Sequence, residues 1–260
     1  MPSHRDDQVK ELWQSRAREA SVGEGEVTHR DVWQRWLEIE TIKRFLAPDD
    51  RLLDAGCGNG YTSRAVTPLV RETVGIDFSD AMIDRARRAG AGASNLRFEV
   101  CDVRALDPAR LGLFDVAISE RCLINLSNWQ EQQQAIAQLA GVLRAGGRLI
   151  FVEGWADGRQ RLNEMRERMG LERMPDVWHN VDFEERRLLP YLERFFDVEE
   201  RRHFGVYDFV ARVVHPLVVS PEPPVYDSRF NEVAARLAVE SQAFADLSRV
   251  LFLVLKRKAA

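Results

Sequence analysis

Leu53-Asp54-Ala55-Gly56-Cys57-Gly58-Asn59-Gly60 is the stretch on which the fold turns. It follows a short apolar run over 51–54 that reads as a strand, and it leads into helical spacing through about 70. Glycines at a strand-to-helix turn let the backbone bend sharply and approach a ligand closely, with the N–H groups of the next helix behind them. A dinucleotide-binding turn would put its third glycine one place later, where this chain has Tyr61. The strand also ends on Asp54. A carboxylate there is a poor neighbour for a pyrophosphate and a good one for a ligand carrying ammonium and sulfonium groups.

Downstream of this turn, strands and helices alternate. Strands are expected over 73–77, 96–101, 114–119 and 148–153, with helices over 80–89 and 131–143, the latter closed by Gly146-Gly147. Such a cadence means βαβ units and a parallel sheet. Beyond 153 the pattern loosens. The spacing predicts a helix over 159–169 inside an insertion, a helix over 183–195, a strand over 198–203, an irregular proline- and aromatic-rich stretch over 205–227, a helix over 229–244 and a final strand over 250–255. Upstream, helices are expected over 6–20 and 29–46, the second opened by Thr28 and Asp31 as a capping pair. The organisation so read is an N-terminal helical lid over 1–47, a cofactor-binding core over 48–155, and a remainder over 156–260 whose insertions (156–180 and 205–247) cover the substrate.

The chain has 260 residues, 45% of them hydrophobic, enough for a sizeable core. Its net charge of −4 argues against a nucleic-acid partner, which needs concentrated positive charge. Three cysteines without metal-like spacing fit reduced thiols. No apolar run approaches the ~18 residues of a membrane span, and the N-terminus has no apolar signal segment, so a cytoplasmic protein is expected.

Two further acids stand at strand ends. Asp77 closes Val74-Gly75-Ile76-Asp77, where a carboxylate faces the ribose hydroxyls of a nucleoside, and Asp102 follows Cys101, within reach of an adenine amino group. Phe78 and Val103 are candidates to flank the adenine, and Ser119 at the end of the fourth strand joins the cofactor set. Together with Asp77, Asp102 and the Leu143-Arg144-Ala145-Gly146-Gly147 turn, the glycine stretch makes residues 51–153 resemble a class I S-adenosylmethionine-dependent methyltransferase. The resemblance implies a Rossmann-like, doubly wound seven-stranded α/β sheet whose last strand, over about 250–255, inserts antiparallel. It implies Gly56 and Gly58 around the methionine portion of the cofactor, with Asp54 and Gly60 in the same turn. Asp77 would hold the ribose and Asp102 the adenine. The remainder, notably Glu120-Arg121-Cys122 and Trp178-His179-Asn180, bears a fainter likeness to bacterial methyltransferases of surface glycans or specialised metabolites.

S-Adenosylmethionine carries an activated methyl group, so such an enzyme chiefly aligns a nucleophile with it and excludes water. An oxygen or nitrogen acceptor also needs a base. His179 is the preferred candidate because imidazole titrates near neutrality, with Glu153 second. Arg121, Trp155, Trp178, Asn180 and Tyr207 are the candidate substrate contacts. One acid after the fourth strand does not make a catechol-type metal cluster, so no metal is expected. The expected function is methyl transfer to a small metabolite, with neither nucleic acid nor membrane as partner and with a homodimer compatible. A noncatalytic S-adenosylmethionine-binding partner protein and a nicotinamide-dependent oxidoreductase are the alternatives.

Overall fold

The computed structural model describes residues 4–19 and 27–259. In chain order these form α1 (His4–Arg18), α2 (Val32–Lys43), β1 (Arg51–Ala55), α3 (Tyr61–Val66), β2 (Glu72–Asp77), α4 (Asp80–Ala89), β3 (Leu96–Val100), α5 (Pro108–Leu111), β4 (Phe114–Glu120), α6 (Trp129–Val142), β5 (Leu143–Gly154), α7 (Ala156–Arg168), α8 (Glu185–Leu192), β6 (Phe196–His203), α9 (Gly205–Phe209), α10 (His215–Val219), α11 (Arg229–Glu240) and β7 (Val250–Arg257).

The strands form one seven-stranded sheet in the order β3-β2-β1-β4-β5-β7-β6. The first five are parallel neighbours, while β7 runs antiparallel between β5 and β6. This is the Rossmann-like sheet with an antiparallel last strand that the family resemblance implies. Its chain reversal lies between β1 and β4, where α/β sheets place their ligands. Both faces are covered. Leu251, Leu253 and Leu255 pack with α6 and α8 in one core, and Val250, Phe252 and Val254 pack with α2, α9 and α11 in the other. A strand buried on both sides needs apolar residues at consecutive positions, which explains the continuous run Val250 to Leu255.

Outside the sheet, the stretch expected to be irregular over 205–227 is instead helical through Val219. Between α9 and α10 the chain runs as a π-helical turn, Val210–Val214. The apolar side chains Val206, Tyr207 and Ala211 bury one face of it. Its valines and Pro216 disguise the helix in sequence, since β-branched residues favour strands and Pro suggests a break; here Pro216 sits in the first turn of α10, where its missing N–H costs nothing. α2 is fastened to this helix at its N-cap. Asp31 accepts from Gln34 N at 3.1 Å and is also bound by the Tyr207 hydroxyl and the Arg212 guanidinium.

α1 lies against α4. Gln14 donates to Asp80 at 2.7 Å, and Arg85 donates to the Ala17 carbonyl at 3.2 Å. The chain beyond α7 returns to the sheet through Phe183 N to Gly154 O (2.9 Å) and Val181 N to Ile124 O (2.6 Å). Residues 177–180 are thereby carried back over the end of β4.

Candidate active site

The glycine turn is tied to β2 by hydrogen bonds from Gly56 N and Cys57 N to Ile76 O at 2.8 and 2.9 Å. Gly58 stands at φ +53°, and a Cβ there would lie 2.7 Å from the Thr28 methyl group. Its N–H donates to Asp77 Oδ2 at 3.0 Å, while Ser79 N donates to Oδ1 at 2.8 Å. On β1, Asp54 Oδ2 accepts from Ser63 Oγ at 2.5 Å. Burial raises both carboxyl groups to about 6, and Asp54 also feels the negative charge of Asp77. Two buried acids facing one space suit a ligand that brings positive charge.

That space is a cavity of about 350 Å³ at the carboxyl ends of β1, β2 and β4. Around the acids, its wall is apolar: Trp13, Phe78 and Met82. A flat heteroaromatic group fits between such walls while carboxylates take its sugar and ammonium groups, so the residues present fit S-adenosylmethionine. The same cavity is also lined by polar side chains, among them His29, Arg35, Glu120, Arg121, Asn125 and His179.

Each of these side chains has a definite setting. Glu120 accepts from Thr62 Oγ1 at 2.6 Å, and burial together with the nearby Glu38 lifts its carboxyl to about 8. Arg121 is clamped by Glu38, itself fully buried, at 2.6–3.2 Å. Burial, with four surrounding guanidinium groups, pushes His29 well below the usual imidazole value. His179 falls to about 4, through burial and then through Arg16 and Arg5. Its ring meets Trp13 and Trp178 edge-on at 5.6 and 5.3 Å. His179 Nδ1 and Asn125 Oδ1 are buried without a protein partner, and both residues line the cavity. Buried polar atoms of this kind await a water or a ligand.

Of the residues singled out in sequence, Asp54, Gly56, Gly58, Asp77, Phe78, Arg121, His179 and Asn180 meet around this cavity. Gly60 caps α3 at φ +71° and stands outside the wall. Asp102 also lies outside it, its carboxylate held by Arg104 at 2.8–3.1 Å, and Val103 is buried in the core. Ser119 turns inward to donate to Glu153 at 2.6 Å.

Three expectations are corrected. Glu153 is not a base facing substrate: it is fully buried, and besides Ser119 it accepts from the backbone N–H groups of Cys122, Leu123 and Ile124, pinning the loop after β4. Burial raises it to about 7. Trp155 is no pocket wall but a core side chain, 2% exposed. Tyr207 is fully buried, with its hydroxyl on Asp31. Trp178 borders a second groove beside the cavity, which Asn180 shares. His29, Glu38 and Asn125 had no role in the sequence reading. Only Glu120, noted beside Arg121, carried a signal. Among the described residues no group of His, Cys, Asp or Glu could hold a metal ion, and no helix is long and apolar enough to cross a membrane.

Residues 52–147 match the family model described as methyltransferase domain. The chain is 29% identical over 155 residues to the malonyl-[acyl-carrier protein] O-methyltransferase of Serratia marcescens, covering 60% of this chain and 52% of that protein. It is 29% identical over 118 residues to an uncharacterised methyltransferase of Bacillus subtilis, 45% of each chain. The chain thus spans about half the length of these relatives. In fold it resembles the N-methyltransferase NodS of Bradyrhizobium japonicum WM9 in complex with S-adenosyl-L-homocysteine. The TM-score is 0.57 at 15% identity, covering 96% of this chain and 99% of that one. The match over 52–147, the strand order with its antiparallel β7 and the acid-lined glycine turn agree: this part of the chain is a methyltransferase domain of the class I, S-adenosylmethionine-dependent type.

Proposed function

We propose that the protein transfers a methyl group from S-adenosylmethionine to a small metabolite at an oxygen or nitrogen atom. The observation that carries this reading is one cavity that brings together the buried acids Asp54 and Asp77, the apolar side chains Trp13, Phe78 and Met82, and the polar side chains Arg121, Asn125 and His179. The methyl donor supplies an activated carbon on a positive sulfur. The protein supplies the rest: Asp54 and Asp77 favour a cationic ligand, the Gly58 turn lets the backbone approach it, and the polar side chains of the same cavity hold the acceptor. In this setting the unpartnered His179 Nδ1 and Asn125 Oδ1 are left for water or for polar groups of the substrate, and an imidazole pushed to about 4 is a weak base.

Calorimetry with S-adenosylmethionine, S-adenosylhomocysteine, NADH and NADPH tests the reading. Binding of the first two alone is the expected result. Binding of a nicotinamide, or of none of the four, would overturn it.

A further inference from the structure

The cavity wall contains an immobilised guanidinium, that of Arg121, paired from behind by the buried Glu38. Three independent features converge there. Its backbone stands at φ +51°, a region that residues with a Cβ rarely enter and that recurs where a side chain is held for a purpose. Its Nε and Nη2 are fixed by Glu38 at 2.6–3.2 Å, so the guanidinium is immobilised before any ligand arrives. Among the described residues its Nη1 has no hydrogen-bond partner, and the residue lines the cavity. A guanidinium held this way, with its Nε and Nη2 edge taken by Glu38, leaves Nη1 to make a charge-assisted bond to a ligand carboxylate.

The histidines of this cavity are ill suited to removing a proton, because burial and nearby guanidinium groups lower both. Glu120 is raised by burial and then by Glu38, and its carboxylate is engaged by the Thr62 hydroxyl at 2.6 Å. An acceptor that is already an anion needs no base.

We propose, resting on the methyl-transfer reading above, that the acceptor is an organic acid, bound as its carboxylate on Arg121, and that the product is its methyl ester. One carboxylate oxygen forms a bond to the methyl carbon as the methyl–sulfur bond breaks, and the electron pair of that bond stays on sulfur. The negative charge of the acid and the positive charge of the sulfonium cancel, and no proton is released. Methylation of an amine or a hydroxyl must instead release one proton per turnover.

The experiment follows S-adenosylhomocysteine formation and proton release together, in a weakly buffered indicator solution. The probes are decanoate, benzoate and glutarate, set against decylamine, decanol, phenol and benzamide. The expected result is turnover on a carboxylate with no proton released. In Arg121→Gln the KM for that carboxylate should rise about tenfold or more, with S-adenosylhomocysteine affinity unchanged. Because that variant leaves Glu38 unpaired, the double variant Arg121→Gln/Glu38→Gln is measured beside it, with folding checked by circular dichroism. Arg121→Lys, which keeps charge but not the fork, should recover part of the loss.

Turnover on an amine or hydroxyl with one proton per product overturns the inference. So does carboxylate turnover indifferent to Arg121, or cofactor binding with no carboxylate accepted. If neither S-adenosylmethionine nor S-adenosylhomocysteine binds, it is the methyl-transfer reading that fails.

Discussion

Asp77 acts on the glycine turn as well as on the cavity, because its two oxygens take the N–H groups of Gly58 and Ser79. Removing its carboxylate therefore has two measurable effects. Asp77→Ala should weaken S-adenosylhomocysteine binding about tenfold or more, and should lower stability by about 1–3 kcal/mol as two buried donors lose their acceptor. Calorimetry reads the first and urea unfolding the second; an unchanged affinity would remove Asp77 from the site. A second prediction concerns pH. Asp54 and Asp77 stand at about 6, Glu153 at about 7 and Glu120 at about 8, all raised chiefly by burial. Their unfolded values are lower, so between the two the folded chain holds more protons and stability falls as pH rises. This contribution is fully present below about pH 4 and lost through about pH 8. A ligand carrying an ammonium group favours ionised Asp54 and Asp77, so the thermal shift from S-adenosylhomocysteine should grow between pH 5 and pH 7. A shift that shrinks over that interval would contradict the assignment. Two of the residues misread in sequence share a physical cause. Glu153 and Tyr207 carry polar groups that look available until their partners are known, and those partners lie far away in the chain: the Tyr207 hydroxyl meets Asp31, 176 positions earlier. Trp155 is a core side chain whose indole N–H is taken by the nearby Asp157. Asp54 and Asp77 were legible because both stand at the carboxyl ends of parallel strands, Asp54 directly before the glycine turn.

Among the elements, α2 shows how a helix cap becomes a tertiary joint. Asp31 is 3% exposed and serves Gln34 N, the Tyr207 hydroxyl and Arg212 at once. Tyr207→Phe removes one of these bonds and should cost about 1–2 kcal/mol. Asp31→Ala removes the cap and strands a buried guanidinium, and should cost about 3 kcal/mol or more. Equal losses in urea unfolding would mean that Arg212 finds another partner. The periodicity of α2 was readable, but its start was not: the sequence opened the helix at 29 with Thr28 and Asp31 as a capping pair, whereas Asp31 itself is the N-cap and the helix begins at Val32. The helix running from α9 to α10 was not readable. Its stability comes from packing against α2 and α11, which overrides the strand preference of its valines.

For the whole molecule, the cavity joins parts of the chain that are otherwise distant: α1, the loop before α2, the ends of β1, β2 and β4, and residues 177–180. Filling it should stabilise all of them together. At a hundredfold excess over its dissociation constant, S-adenosylhomocysteine should add about 2.7 kcal/mol, seen as a rise in melting temperature of roughly 5–10 °C for a chain of this size. A rise that saturates with ligand while α1 stays open to proteolysis would separate the cofactor site from its N-terminal wall.

The position of β7 has a consequence for synthesis. Among the strands of this sheet, residues 250–257 are translated after the other six, yet they occupy its interior, with β5 on one side and β6 on the other. Until they leave the ribosome, β5 and β6 each present an unpaired edge, and the leucine row that joins the core on the α6 side is missing. The nascent chain can assemble its glycine turn and first five strands early, but it must wait with two open edges for its final segment. Stalled or truncated products of this gene should therefore be the form that chaperones hold and proteases clear.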